Sequence, residues 1–378
     1  RAPEGYVLDS TSAKFDINEN NKVLEFTANN NMIQGGIKIT KVCSQNNNPL
    51  EGAEFVVKSS EGKVVQTGIT NKDGVVEFNN LPYGSYTYEE TKAPEGYVLD
   101  STLVNFDINE NNKVLEFTAK NDPIEGNLQI TKVDSEKGNT LPGAKFEIKD
   151  SNGKVVQTVV TNEQGVATIS GLGYGQYIFQ EIEAPKGYVL NSEPVQFTVE
   201  EHGKTLEFTA KNNMIQGGIE ITKVDSQNNN PLEGAEFVVK NSEGKVISTG
   251  TTNKDGIVEF KNLPYGSYTY EEIKAPEGYV LDSTSVNFDI NENNKVLEFT
   301  AKNNMIQGGI KITKVDSQNN NPLEGAEFVV KNSDGKVVQT GTTNKEGIVE
   351  FNNLPYGSYT YEETKAPEGY VLDSTSVK

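Results

Sequence analysis

The 378-residue chain has no tryptophan, one histidine, three methionines and one cysteine. A single thiol, Cys43, excludes an intrachain disulfide framework, so robustness outside a cell would need another source. No stretch approaches the roughly 18 apolar residues that a membrane-spanning helix requires. Positive charge is also scarce: 34 Lys and Arg stand against 54 Asp and Glu, a net −20 with no single long acidic run. Such a surface disfavours nucleic acid and anionic membrane, so neither partner is expected, and no membrane insertion. What is present is 34% hydrophobic composition with 16 Tyr and 16 Phe, enough for several small cores.

The chain repeats itself. The tetrapeptide Ile-Thr-Lys-Val returns with its lysine at Lys41, Lys132, Lys223 and Lys314, each 91 residues after the last. That period is too long for a helical solenoid and suits a small β-sandwich, so domains in a row are expected. Complete copies run 34–124, 125–215 and 216–306; residues 1–33 match the C-terminal strands of a copy, and 307–378 match the N-terminal part of one. Both ends fall inside a repeat, as expected of a window from a longer array. The absence of a signal-like start therefore carries no information.

Within a copy, turn signals recur every 8 to 12 residues: QNNNPLEG, SEGK, NKDG, NLPYG, APEG and ENNK. No helical period survives between them. In the first complete copy they separate strands expected at about 37–43, 53–58, 63–69, 74–79, 85–91, 103–108 and 113–120. Seven short strands in such a length predict an all-β, two-sheet Greek-key sandwich. The second copy, the diverged one, replaces ENNK by EHGK, an exchange that suits a tight turn with positive φ. The Asp-Ile-Asn-Glu-Asn stretch before this turn lacks the glycine and closing glutamate of a calcium loop, so no metal is expected. His202 has no repeated partner and receives no role.

Side chains on a strand alternate between faces, so parity identifies which residues share the core side. Ile37, Ile39 and Lys41 form one row; Leu115, Phe117, Ala119 and Asn121 form another; Tyr86, Tyr88 and Glu90 form a third. Glu89 falls on the opposite, solvent side. The diverged copy keeps this pattern with Lys132, Glu181 and Asn212, although its Gln180 replaces the outer glutamate. The third copy gives Lys223, Glu272 and Asn303. Any one of these could be a rim residue, a lysine snorkelling or a polar group capping a turn. Three that converge, retained through divergence, point to chemistry. Burial disfavours the charged forms of lysine and glutamate, which pushes the lysine towards a nucleophilic amine and the glutamate towards an acid. With an amide carbon in reach, the three supply a nucleophile, a proton shuttle and an electrophile. The expected product is a Lys–Asn isopeptide bond with ammonia expelled: a single self-cross-linking event, with no cofactor and no turnover.

The motif Tyr-x-x-x-Glu-Thr-x-Ala-Pro-x-Gly-Tyr at Tyr86–Tyr97 resembles the E-box of Gram-positive pilins. ITKVDS, LEGAEF and FTAKN resemble the Cna B-type, SpaA-like domain, and the resemblance covers essentially the whole chain. It implies transthyretin-like (prealbumin-like, inverse immunoglobulin) sandwiches of pilin shafts and adhesin stalks, often closed by an internal isopeptide bond that the E-box glutamate assists. Carried over by position, the cross-links are Lys41–Asn121, Lys132–Asn212 and Lys223–Asn303, with Glu90, Glu181 and Glu272 as proton shuttles. The second copy departs from the box at Ile182 and Glu183, both outside the triad.

A structural stalk or fibre shaft, extracellular on the cell wall or a surface appendage of a Gram-positive bacterium, is the expected function. Short connectors such as Asn-Asp-Pro-Ile-Glu-Gly-Asn, ahead of Leu128, predict a semi-rigid rod. Its expected partners are neighbouring repeats or identical subunits, with host matrix ligands reserved for regions outside this chain. A ligand-binding adhesin module, for a matrix protein or carbohydrate, is the first rival; near-identical beads without a specialised loop argue against it. A multi-site enzyme is the second, but turnover needs an open pocket. The incomplete ends add a further expectation: Asn30 has no lysine or glutamate of its own copy, and Lys314 and Glu363 have no asparagine, so the pieces could complete one domain between molecules. Cys43 stands where other copies carry Asp134, Asp225 and Asp316, and reads as a tolerated substitution.

Overall fold

A computed structural model describes residues 1–9 and 12–372. Its compact units are two: residues 1–186 with 190–212, and residues 187–189 with 213–378. No helix occurs among the described residues, and so none is long and apolar enough to cross a membrane.

In the first unit, β1 (Tyr6–Val7) pairs with β2 (Asn31–Met32), and the first complete repeat follows. Its seven strands are β3 (Gln34–Cys43), β4 (Glu54–Ser59), β5 (Val64–Ile69), β6 (Val75–Pro82), β7 (Gly84–Lys92), β8 (Val104–Ile108) and β9 (Val114–Asn121). They form a three-stranded sheet in the order β6-β3-β9 and a four-stranded sheet in the order β5-β4-β7-β8. Period-two burial sends Ile37, Ile39, Phe55, Val57, Phe78, Tyr86, Tyr88, Phe106 and Ile108 into one core between the sheets. There Tyr86 stacks on Phe106 with ring centres 5.6 Å apart, and Tyr88 meets Phe117 edge-on at 5.1 Å.

All seven expected strands are present, and three are longer than expected, β7 by one residue at each end. β3 starts at Gln34, and β6 runs on to Pro82. Asn80 there adopts φ 56°, and a shift of register opposite Gly35 and Ile37 lets the pairing resume beyond it. The first and last strands are parallel neighbours, with Lys41 opposite Ala119 and Cys43 opposite Asn121. That register decides the site, because it sets Lys41 and Asn121 two residues apart on the same face.

The second repeat has the same two sheets, from Glu125–Asp134 to Thr205–Asn212. The exchange of Asn-Asn for His-Gly has a local explanation. Asn112 and Gly203 occupy the same turn position with φ 59° and 74°. His202 accepts a hydrogen bond from the Glu125 amide at 3.2 Å, as Asn111 does from the Gln34 amide at 3.1 Å. His202, expected to have no role, therefore has a structural one: its Nδ1 replaces an asparagine carboxamide oxygen.

In the second unit, the third repeat again makes sheets of three and four strands, from Gln216–Asp225 to Val296–Asn303. The following segment has five strands, Gln307–Thr313, Glu327–Asn332, Val337–Thr342, Ile348–Pro355 and Tyr359–Lys365. In the first unit, residues 12–30 carry the sequence of the last two strands of a repeat but form no named strand. Phe15, Ile17, Val23 and Phe26 are exposed there.

Candidate functional site

Alternation carries Lys41 down the core side of β3 behind Ile37 and Ile39, while Asn121 ends the matching row of β9. Glu90 arrives from the other sheet, on β7, opposite Phe55 of β4. The three meet across the sandwich and are buried to 1%, 1% and 2% relative exposure for Lys41, Asn121 and Glu90. Lys41 Nζ lies 3.2 Å from Glu90 Oε1, within ion-pair reach though not aligned as a hydrogen bond. Asn121 Nδ2 donates to Glu90 Oε2 at 2.8 Å and to the Val98 carbonyl at 2.5 Å. The amide of Asp100 donates to the same Oε2 at 3.1 Å. One carboxylate therefore bridges the amine and the carboxamide nitrogen, while backbone groups of residues 98–100 hold it and the asparagine in place.

The arrangement recurs. In the third repeat Lys223 Nζ is 3.2 Å from Glu272 Oε1, and Asn303 Nδ2 donates to Glu272 Oε2 at 2.9 Å. In the diverged second repeat Lys132 Nζ lies 3.0 Å from Glu181 Oε1, the oxygen to which Asn212 Nδ2 donates at 3.1 Å. A cavity of about 300 Å³ reaches this second triad, lined by Lys132, Glu181, Asn191 and Glu193 among others. Each lysine amine also sits over a phenylalanine ring, Phe55, Phe146 or Phe237, at 5.5 to 5.6 Å.

Burial holds the Lys41, Lys132 and Lys223 ammonium groups below their ordinary value, because desolvation penalises the charged form more than the facing glutamate supports it. Among the described residues, the buried amide oxygens of Asn121, Asn212 and Asn303 accept no hydrogen bond. An unpaired buried acceptor costs about 1–3 kcal/mol, and here the cost recurs in every complete repeat.

The remaining candidates lie apart. Lys314 is 3.0 Å from Glu363, but its side chain is 22% exposed where the other three lysines are 1%. Asn30 lies in the first unit, outside any named strand. Glu89, assigned to the solvent side, is half-buried and ion-paired with Lys58 on the outer face of the four-stranded sheet. Cys43 is buried, and its thiol faces the side chain of Tyr97. In the third repeat the matching pair is Tyr279 donating to Asp225 Oδ2 at 2.8 Å, so the thiol occupies a carboxylate's place. No group of three or more His, Cys, Asp or Glu among the described residues is placed to hold a metal.

Sequence reasoning passed over Thr70, Thr161, Thr252 and Thr343. Each is buried and staples two backbone groups: Thr70 Oγ1 donates to the Leu50 carbonyl at 2.7 Å and accepts from the Ala53 amide at 3.0 Å. Their recurrence every 91 residues was the available signal, but a threonine beside a turn does not announce burial. The backbone contacts from residues 98–100 carried no signal at all.

Paired sandwich sheets, each complete pair enclosing a buried Lys-Glu-Asn constellation, are repeated in tandem. Comparison with known families agrees. The chain belongs to the SpaA family of prealbumin-like fold domains, whose model matches residues 35–123, 126–214, 217–305 and 308–378. Among curated proteins it is 27% identical over 422 residues to serine-aspartate repeat-containing protein D of Staphylococcus aureus, covering 94% of this chain and 31% of the relative. It is 25% identical over 395 residues to serine-aspartate repeat-containing protein F of Staphylococcus epidermidis, covering 85% of this chain and 22% of that protein. The chain thus spans less than a third of the length of these relatives. Among solved structures, the Bacillus anthracis TIE protein superposes with a TM-score of 0.67 at 39% identity, over 73% of this chain and 52% of that one. These relatives come from the Gram-positive genera Staphylococcus and Bacillus.

Proposed function

We propose that the chain is a stalk or fibre-shaft segment whose complete repeats each close themselves with a Lys–Asn isopeptide bond. The observation that carries this reading is the convergence of a buried lysine, glutamate and asparagine from both sheets, in matching geometry, in three repeats of which one has diverged.

The chemistry follows from the contacts. Glu90 takes a proton from Lys41 Nζ, a transfer favoured by the desolvation that holds the ammonium below its ordinary value. The neutral amine attacks Asn121 Cγ. Glu90, whose Oε2 already faces Nδ2, passes the proton to that nitrogen. The Cγ–Nδ2 bond breaks and ammonia leaves, the remaining extra proton on Nζ passes to the freed Glu90 carboxylate, and a neutral Nζ–Cγ amide remains. No oxidant, metal or cofactor enters the balance.

The consequence is mechanical. A pull that enters along β3 passes at Lys41 through the new bond into Asn121 and leaves the chain there, bypassing residues 42–120. Closing the 80-residue span from Lys41 to Asn121 (121 − 41) also removes unfolded-state entropy worth ~4.5 kcal/mol, if the chain-entropy treatment of disulfides carries over.

Intact mass spectrometry is the direct test. The reading expects a mass lower than the sequence by three ammonia molecules, one for each complete triad, and an unshifted mass would sink it.

A second reading draws on the preassembled Lys314–Glu363 pair and the exposed Phe15, Ile17, Val23 and Phe26: residues 12–30 of one molecule could complete the 307–372 segment of another, bonding Lys314 to Asn30. Ladders that survive boiling in denaturant would support it, and monomers alone would remove it.

A further inference from the structure

The cross-link leaves one recurring feature unused: an exposed tyrosine in the loop after the fourth strand in three of the repeats, Tyr83, Tyr174 and Tyr356. Each lies against the Ala-Pro-Glu-Gly turn of the repeat before it. Tyr174 donates its hydroxyl to Glu95 Oε1 at 3.0 Å, Tyr83 to Glu4 Oε1 at 2.6 Å, and Tyr356 to Glu277 Oε1 at 3.0 Å. The ring covers the glycine that follows. A Cβ added at Gly96, Gly5 or Gly278 would come within 3.3, 2.9 or 2.7 Å of that ring.

The backbone completes the contact. Ile124 of the connector donates to the Gly96 carbonyl at 2.8 Å, and its own carbonyl accepts from the Tyr174 amide at 3.0 Å. Ile33 joins Gly5 to Tyr83 at 2.7 and 2.9 Å, and Ile306 joins Gly278 to Tyr356 at 2.8 and 2.8 Å. One isoleucine thus bridges the turn behind it to the loop ahead, through both of its backbone polar groups.

The turn keeps its shape when no ring lies on it. Gly369 has φ +86° and a Cβ there would meet nothing within 4 Å, against φ +82° at Gly96 beneath Tyr174. The receiving surface is therefore preformed, which lowers the entropic cost of docking.

We propose that the Glu-Gly pair of the Ala-Pro-Glu-Gly turn is a docking socket for the tyrosine of the next repeat, and that this contact, beyond the connector itself, locks one repeat to another. The partner is a second repeat of the same kind, recognised by a phenol that reaches a carboxylate while its ring covers a glycine. The glutamate is the specificity element. At the matching sequence position the second copy carries Lys186, a cation that cannot accept the phenol proton, so its turn lacks that half of the recognition. The proposal stands apart from the isopeptide reading, since none of these residues belongs to a triad.

The test uses the full chain and hydrogen exchange at the Ile124 amide, read in a peptide from Asp122 to Leu128; its Asp-Pro-Ile-Glu-Gly sequence occurs once. Tyr174→Ala and Glu95→Lys should each speed exchange there at least tenfold, with the core amides of Ile39 and Ile130 and the ammonia losses unchanged. Tyr174→Phe, which keeps the ring, should give a smaller increase. If Tyr174→Ala also speeds the core amides, Glu95→Lys alone decides. Exchange at Ile124 that stays within twofold of wild type in Glu95→Lys, with the core intact, overturns the proposal.

Discussion

Replacing Glu90 by Gln is the sharpest probe of the triad. The carboxamide matches the carboxylate in size and keeps an acceptor oxygen for Asn121 Nδ2 and the Asp100 amide, so little packing is lost. What it cannot do is carry a proton from Lys41 to the leaving nitrogen. The first repeat should fold but stay open, so the chain should lose two ammonia molecules instead of three. Opening the Lys41–Asn121 span returns ~4.5 kcal/mol of chain entropy to the unfolded state. A domain of about 90 residues unfolds with an entropy of roughly 0.19 kcal/mol/K, so its melting temperature should fall by roughly 20–25 °C. The lysine left facing a neutral amide deepens that drop. Differential scanning calorimetry on the full chain should show one transition displaced and the others in place. A variant that still loses three ammonia molecules would refute the shuttle. Loss of the first bond with the first transition moving less than about 5 °C would refute the entropic estimate.

Further outcomes follow from the same contacts. In Asn121→Ala the amine stays free and titrates: its folded pKa lies below the unfolded 10.5, so its burial penalty is full below the folded value and fades as pH rises towards 10.5. The first repeat of that variant should therefore gain stability with rising alkaline pH in denaturant titrations, while a cross-linked wild type would show no such lysine contribution; a flat profile in the variant would count against a buried amine. Thr70→Val strips two backbone groups of their partner and should cost about 1–3 kcal/mol, read as an earlier transition of the first repeat only. Cys43→Asp should restore the loop cap that Asp225 provides through the amides of Gln227 and Asn228, raising first-repeat stability by ~1 kcal/mol; an unchanged melt would deny the cap. The native Cys43 thiol, being buried, should react with aromatic disulfide reagents only after unfolding.

Much of the site was legible because strand parity is local. Whether Glu89 or Glu90 faces inward depends only on the period-two geometry of one strand, and the diverged copy separated them by changing Glu89 to Gln180 while keeping Glu181. The same parity placed Lys41 and Asn121 on core faces. It said nothing about distance: that Lys41 and Asn121 come from adjacent parallel strands, and that Glu90 crosses from the opposite sheet, depends on register and sheet order between residues 80 and 31 positions apart. Burial of Thr70 and the acceptor role of His202 were hidden for the same reason, since each hydrogen-bonds a residue far off in sequence.

Sequence by itself thus determined the repeat, the strands and the inward rows, because spacing, turn chemistry and alternation are properties of a short stretch of chain. Only the tertiary structure decided that two inward polar residues share the carboxylate of a third, and that a surface tyrosine of one repeat rests on the turn of another. Both depend on which distant segments are brought together, and packing rather than local preference sets that.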